Sequence, residues 1–92
     1  MNQLDNCRQR INILDIQIIE ILGARFKVCR RIAHFKKEQG IPMMQPGRVE
    51  EVKQRCMELG LQYGLQKEFV AELYSLIIKE SCRIEDEIIE KS

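Results

Sequence analysis

Apolar residues return along the first part of the chain at Leu4, Cys7, Ile11, Leu14, Ile18, Ile21, Val28, Ile32 and Phe35. This three-four alternation keeps them on one side of an α-helix, so a single amphipathic helix is predicted over residues 2–39. Gly23 alone interrupts its helix propensity. Gly40 suits the left-handed position that ends a helix, and Pro42 just beyond it cannot continue one. Residues 41–45 then form a loop, and Pro46 fits the first turn of a second helix over 46–61. That helix carries Val49, Val52, Cys56 and Leu59 inward and frays between Gly60 and Gly64. A third helix is predicted over 66–90, with Val70, Leu73, Tyr74, Ile77, Ile84 and Ile88 as its buried stripe. No segment alternates with the period of two of a half-buried strand, and there is no internal repeat. The expected fold class is all-α: three helices with a very long first one, forming a single domain over residues 1–92.

The length of the first helix has a physical consequence. At 1.5 Å per residue it is roughly 57 Å long, whereas a compact monomer of this size has a radius of gyration of only ~12 Å. Much of the apolar stripe would then stay wet, forfeiting several kcal/mol at about 25 cal/mol per Å². A second chain supplying the missing cover is the simplest solution, and a symmetric homodimer is expected.

The stripes are interrupted by polar groups at particular places. Arg25 fills the gap between Ile21 and Val28, and a buried guanidinium is costly unless it meets an anion. Lys36 follows eleven residues later, close to three turns, and projects from nearly the same face. Arg48 opens the second helix, where unpaired backbone amides also favour negative charge. Ser81 breaks the third stripe between Ile77 and Ile84, and Glu85 lies one turn further on the same side. Each cation alone reads as a salt bridge within a bundle. Together, with Glu85 as the one obvious counter-ion, they predict a positive cavity that takes an anionic ligand, preferably one with two carboxylates.

Composition narrows the alternatives. The 92 residues are 45% hydrophobic and 32% charged, with 15 Lys and Arg against 14 Asp and Glu. That near-neutral balance lacks the basic excess of a nucleic-acid partner. No apolar run is long enough to cross a bilayer, and the polar amino terminus leads straight into the helical pattern, so a cytoplasmic location and no membrane partner are expected. Cys7, Cys29, Cys56 and Cys82 are scattered without a CxxC pair and are read as small buried apolar residues, with no disulfide and no metal site. His34 is the single histidine. It lies in a basic helical stretch and is expected on the solvated surface rather than in a nucleophile pair. Met43 and Met44 are read as core.

The segments CRQRINILDIQIIEILGARFKVCRRIAHFKKEQGIP, PGRVEEV and LYSLIIKESCRIEDEI together resemble the all-helical (AroQ-class) chorismate mutases over essentially the whole chain. The resemblance lies in the order and spacing of Arg8, Arg25, Lys36, Arg48, Ser81 and a polar residue at position 85. It implies an intertwined, domain-swapped homodimer whose two sites are each completed by Arg8 from the partner subunit. It further implies that Arg25 and that Arg8 clamp two carboxylates, that Lys36 meets the ether oxygen and nearby carboxylate, and that Arg48 and Ser81 support the ring end. The implied reaction is the Claisen rearrangement of chorismate to prephenate in aromatic amino acid biosynthesis. It needs no nucleophile and no cofactor, only a folded dianion and donors for the developing charge.

Two positions depart from the family's usual pattern. Glu85 stands where many relatives carry glutamine, and a carboxyl donates to the ether oxygen only when protonated. Burial favours that form and Lys36 opposes it; with Glu85 as donor, the rate is expected to improve as pH falls. Gln45 stands where relatives often place an aspartate facing the ring hydroxyl, which keeps 4-amino-4-deoxychorismate open as an alternative substrate. An isochorismate pyruvate-lyase on the same scaffold is a further alternative, disfavoured by the mutase-like length between Lys36 and Arg48. Outside enzymes, a non-catalytic helical dimerisation or regulatory module would be expected to have lost these residues.

Overall fold

Three helices account for most of the chain: α1 Gln3–Gln39, α2 Arg48–Gln62 and α3 Lys67–Glu90. They are seen in a computed structural model that describes residues 2–43 and 47–90. Among the described residues there is no strand, as the hydrophobic pattern requires. Asn2 caps α1, its Oδ1 accepting from the Asp5 amide at 2.8 Å. Gly40 ends it at φ 67°, and the Ile41 amide returns to the Lys36 carbonyl at 2.9 Å. This is the left-handed cap that only glycine adopts without strain.

The second helix starts two residues later than expected and runs one residue further. Its N-cap is Gly47, and Pro46, expected in the first turn, lies outside the described residues, as do Met44 and Gln45. Gly60 does not fray. It is buried inside α2, and a Cβ there would stand 2.9 Å from Val70 Cγ2. The glycine is what lets α2 approach α3 so closely. The chain then turns through Gly64, at φ 76°, with the Leu65 amide bonded to the Gly60 carbonyl at 2.9 Å.

Among the described residues α1 and α2 each pack on α3 and not on one another. The core is correspondingly thin: Ala33, Val52, Val70, Ile77 and Ile84. Leu59 and Leu73, expected inside, are exposed, because α3 meets a face of α2 turned toward Val52 and Gly60. Cys7 is exposed and Cys29, Cys56 and Cys82 are half-buried, and none of the four is in a disulfide. The reading of Cys7 as a buried residue therefore fails within one chain. His34 is exposed, as its basic surroundings suggested.

Every residue from Asn2 to Ile21 is exposed. Ile19 and Ile21 each keep 68% of their surface in contact with solvent. The chain extends 57 Å along its longest axis and has a radius of gyration of 16.8 Å, well above the ~12 Å of a compact chain this size. No helix among the described residues is long and apolar enough to cross a membrane.

Candidate active site

Where the second half of α1 meets α3 and the start of α2, the packing leaves a cavity of about 270 Å³. Its wall combines Ile32, Met43, Val49, Val52 and Ile78 with Arg25, Lys36, Arg48, Ser81 and Glu85. Five of the residues singled out by sequence thus gather at one place. Cys29 and Cys82 complete the lining.

Arg25 and Ser81 meet across the α1–α3 seam. Arg25 Nη1 donates to Ser81 Oγ at 3.0 Å and makes a longer contact of 3.9 Å to Cys29 Sγ. Cys29 Sγ in turn lies 3.4 Å from Ser81 Oγ, which itself donates to the Ile77 carbonyl at 3.0 Å. The guanidinium carbon sits 5.9 Å from the centre of the Tyr74 ring, within the range of a cation–π contact. Among the described residues no carboxylate forms an ion pair with Arg25. A guanidinium has five N–H donors, and the bonds seen here are all made by Nη1.

Lys36 is held differently. Its Nζ pairs with Glu85 Oε1 at 3.0 Å, both side chains being largely shielded from solvent at 15% and 12% exposure. It also donates to the Met43 carbonyl. An ammonium carries three protons, so two are engaged among the described residues. Glu85 is the counter-ion anticipated from the stripe, and Met43 serves as backbone acceptor as well as wall. Close by, burial and then the Glu85 carboxylate push the Cys82 thiol above its ordinary range. Cys82 is therefore a neutral thiol under ordinary conditions.

Arg48 stands at the first position of α2, exposed, and bonds Glu51 at 2.8 Å. An exposed pair of this kind contributes little, so Arg48 is free to exchange Glu51 for a ligand anion at small cost. Gly47 offers no side chain to cap the helix, which leaves the first-turn amides on the same side as Arg48.

One expected site residue is not brought to this cavity. Arg8 lies on the exposed part of α1, 17 positions before Arg25 and so about 25 Å away along the helix. No bend of a continuous helix carries it to its own site. Gln45 lies outside the described residues. Conversely, sequence reading placed Tyr74 in the buried stripe and missed its contact with Arg25. The signal was its spacing, since Tyr74 precedes Ser81 by seven residues and so shares its face of α3.

Comparison with known proteins is consistent throughout. The family model described as chorismate mutase type II matches residues 7–86. The chain is 38% identical over 90 residues to a 4-amino-4-deoxychorismate mutase of Streptomyces venezuelae, covering 98% of this chain and 87% of that protein. It is 35% identical over 86 residues to the 4-amino-4-deoxychorismate mutase of Streptomyces pristinaespiralis, covering 94% of this chain and 67% of the relative. A bifunctional chorismate mutase/prephenate dehydratase of Buchnera aphidicola subsp. Acyrthosiphon pisum matches over 90 residues at 30% identity. That match takes in 98% of this chain and 23% of the relative.

Proposed function

This chain belongs to the chorismate mutase type II family, and from that premise we propose that it rearranges chorismate to prephenate at sites shared between two copies of itself. The observation that carries the reading is the cavity that collects Arg25, Lys36, Arg48 and Ser81 against a single acid, Glu85. In the rearrangement the ether carbon–oxygen bond breaks as a carbon–carbon bond forms within the same molecule. No proton, electron or group has to be supplied, so the protein's work is to hold a folded conformer and to stabilise charge on the departing oxygen.

Each residue has a part that its surroundings support. Arg25 offers Nε and Nη2 to a carboxylate while Ser81 and Tyr74 hold the guanidinium in place. Lys36 offers its third proton to the ether oxygen, and Glu85, when protonated, supplies a second donor there. Arg48 trades Glu51 for the ring carboxylate. The second clamp on the enolpyruvyl carboxylate is Arg8 of the other copy, delivered by the exposed part of α1. That copy would also cover Ile11, Leu14, Ile18 and Ile21, each worth about 1.5–3 kcal/mol when fully buried. With this reading goes a cytoplasmic setting, as the sequence suggests.

A second substrate reading, 4-amino-4-deoxychorismate, has its own support. The relatives that match at 38% and 35% identity are named for it, and Gln45 stands where an acid would face a ring hydroxyl. The test is to supply chorismate, isochorismate and 4-amino-4-deoxychorismate separately and identify the products by chromatography. Prephenate from chorismate supports the first reading, and the amino analogue of prephenate from the amino substrate alone moves the assignment to the second. Pyruvate from isochorismate, or no turnover of any, overturns both.

A further inference from the structure

Arg25 presents an unusual electrostatic arrangement for a half-buried cation. Its partners among the described residues are a hydroxyl, a thiol and an aromatic ring, and none carries charge. A carboxylate would hold the guanidinium more firmly, but it would also cancel the charge that an anionic ligand needs, and binding would then require an ion pair to be broken. An aromatic face attracts the cation through its quadrupole without neutralising it. Tyr74 is well placed for this task. It lies two turns before Ser81 on α3, so the ring and the Ser81 hydroxyl hold Arg25 from two points on one helix face.

Tyr74 also borders open space on the α2–α3 side. The residue lines a second cavity of about 240 Å³ between α2 and α3, together with Cys56, Gly60 and Val70. Burial, and then a hydrogen bond with Cys56, raise its phenol above the ordinary range, so the ring stays neutral across the working pH span. The side chain thus sits at the α2–α3 seam, where Gly60 permits the close approach, and its ring reaches across to Arg25 on α1.

We propose that Tyr74 is a positioning residue for substrate binding: its ring fixes the plane of the Arg25 guanidinium so that Nε and Nη2 face the ligand carboxylate with their charge uncompensated. The proposal rests on the reading of Arg25 as a carboxylate ligand, and its test separates the two. Its chemistry calls for the ring and not for the hydroxyl.

The experiment compares Tyr74→Phe, Tyr74→Leu and Tyr74→Met in the full chain, alone and combined with Arg25→Lys. Circular dichroism and melting curves confirm folding, and KM and kcat are read for whichever of chorismate and 4-amino-4-deoxychorismate turns over. Phe should keep KM within about twofold, whereas Leu and Met, which fill space without a π face, should raise it about tenfold with a smaller change in kcat. In the Arg25→Lys background the same changes should add almost nothing, because the planar group to be oriented is gone. Multiplicative effects in the double variants would reduce Tyr74 to packing and overturn the proposal. A normal KM for Arg25→Lys alone would instead sink the carboxylate reading, and the proposal with it. A readout independent of turnover is the Arg25 Nε–H proton resonance. Phe should leave it in place and Leu or Met should move it downfield as ring-current shielding is lost; an unmoved resonance overturns the contact.

Discussion

Residues 3–21 and 25–39 of α1 belong to one helix and share one apolar period, yet they meet different surroundings. The first stretch is exposed at every position, while the second sets Arg25, Cys29, Ala33 and Lys36 against α3. Nothing in the helical spacing of Ile11, Leu14, Ile18 and Ile21 distinguishes them from Cys29, Ala33 and Lys36, which are shielded. The difference lies in which neighbours one chain can supply, since only α3 packs on α1 and it reaches only the second stretch. Amphipathic pattern states that a face needs cover, and topology decides whether the cover is the chain's own.

The sharpest way to break the comparison is to remove one cation from each stretch. Arg25→Ala and Arg8→Ala should each lower kcat/KM by about 10² to 10³, with unchanged helical content, if both guanidiniums serve a shared site. Mixing Arg8→Ala with Lys36→Ala protein, after unfolding and refolding together, should then restore about a quarter of wild-type specific activity. Half of the dimers are mixed, and each holds one intact site. A mixture as inactive as its components would place Arg8 outside the site.

Ile18→Glu tests the cover on the exposed stretch. In a lone chain the change would be nearly silent, because the side chain is already wet. Buried against a second chain it should shift the dimer toward monomer on size-exclusion chromatography with light scattering, with activity falling in step. A variant that elutes and works like wild type would show that this face has no partner.

The packed stretch is probed by Glu85→Gln. A glutamine keeps a donor for the ether oxygen at this position and an alanine offers none, so Glu85→Gln should match or exceed wild-type kcat while Glu85→Ala should lower it by about 10². An alanine variant as fast as wild type removes residue 85 as donor. A smaller effect is expected at Gly60→Leu, which should destabilise by about 2 kcal/mol in thermal melts by forcing Val70 away from α2. The smallest belongs to Arg83→Ala. It bonds Glu80 and Glu87, and the bond to Glu80 holds that carboxyl below its usual range, but all three groups are solvated, and the melting temperature should not move measurably.

How much of this was legible beforehand follows from what local pattern can encode. The three helices, the Gly40 cap and the gathering of Arg25, Lys36, Arg48, Ser81 and Glu85 were readable, because helical periodicity assigns residues to faces. Leu59 was misplaced, since a stripe broader than its contact leaves the register of α2 on α3 undecided. Gly60 looked like a frayed end, because glycine signals either a helix stop or a close approach, and only the opposing Val70 tells which. The cation–π contact of Arg25 with Tyr74 depends on two helices meeting in register, a relation between segments 49 positions apart.

One consequence of the neutral cradle around Arg25 concerns the energetic state of the empty enzyme. Of the three cations lining the cavity, Lys36 and Arg48 hold the acids Glu85 and Glu51, while Arg25 has no carboxylate partner among the described residues, so the empty site keeps a charge that an anionic ligand would pair. The chain should behave as a ligand-stabilised protein, with a melting point that climbs as the site fills. Saturation at a hundred times the dissociation constant is worth about 2.7 kcal/mol. Thermostability selected without substrate would favour mutations that discharge this wall, and each such gain would erode catalysis.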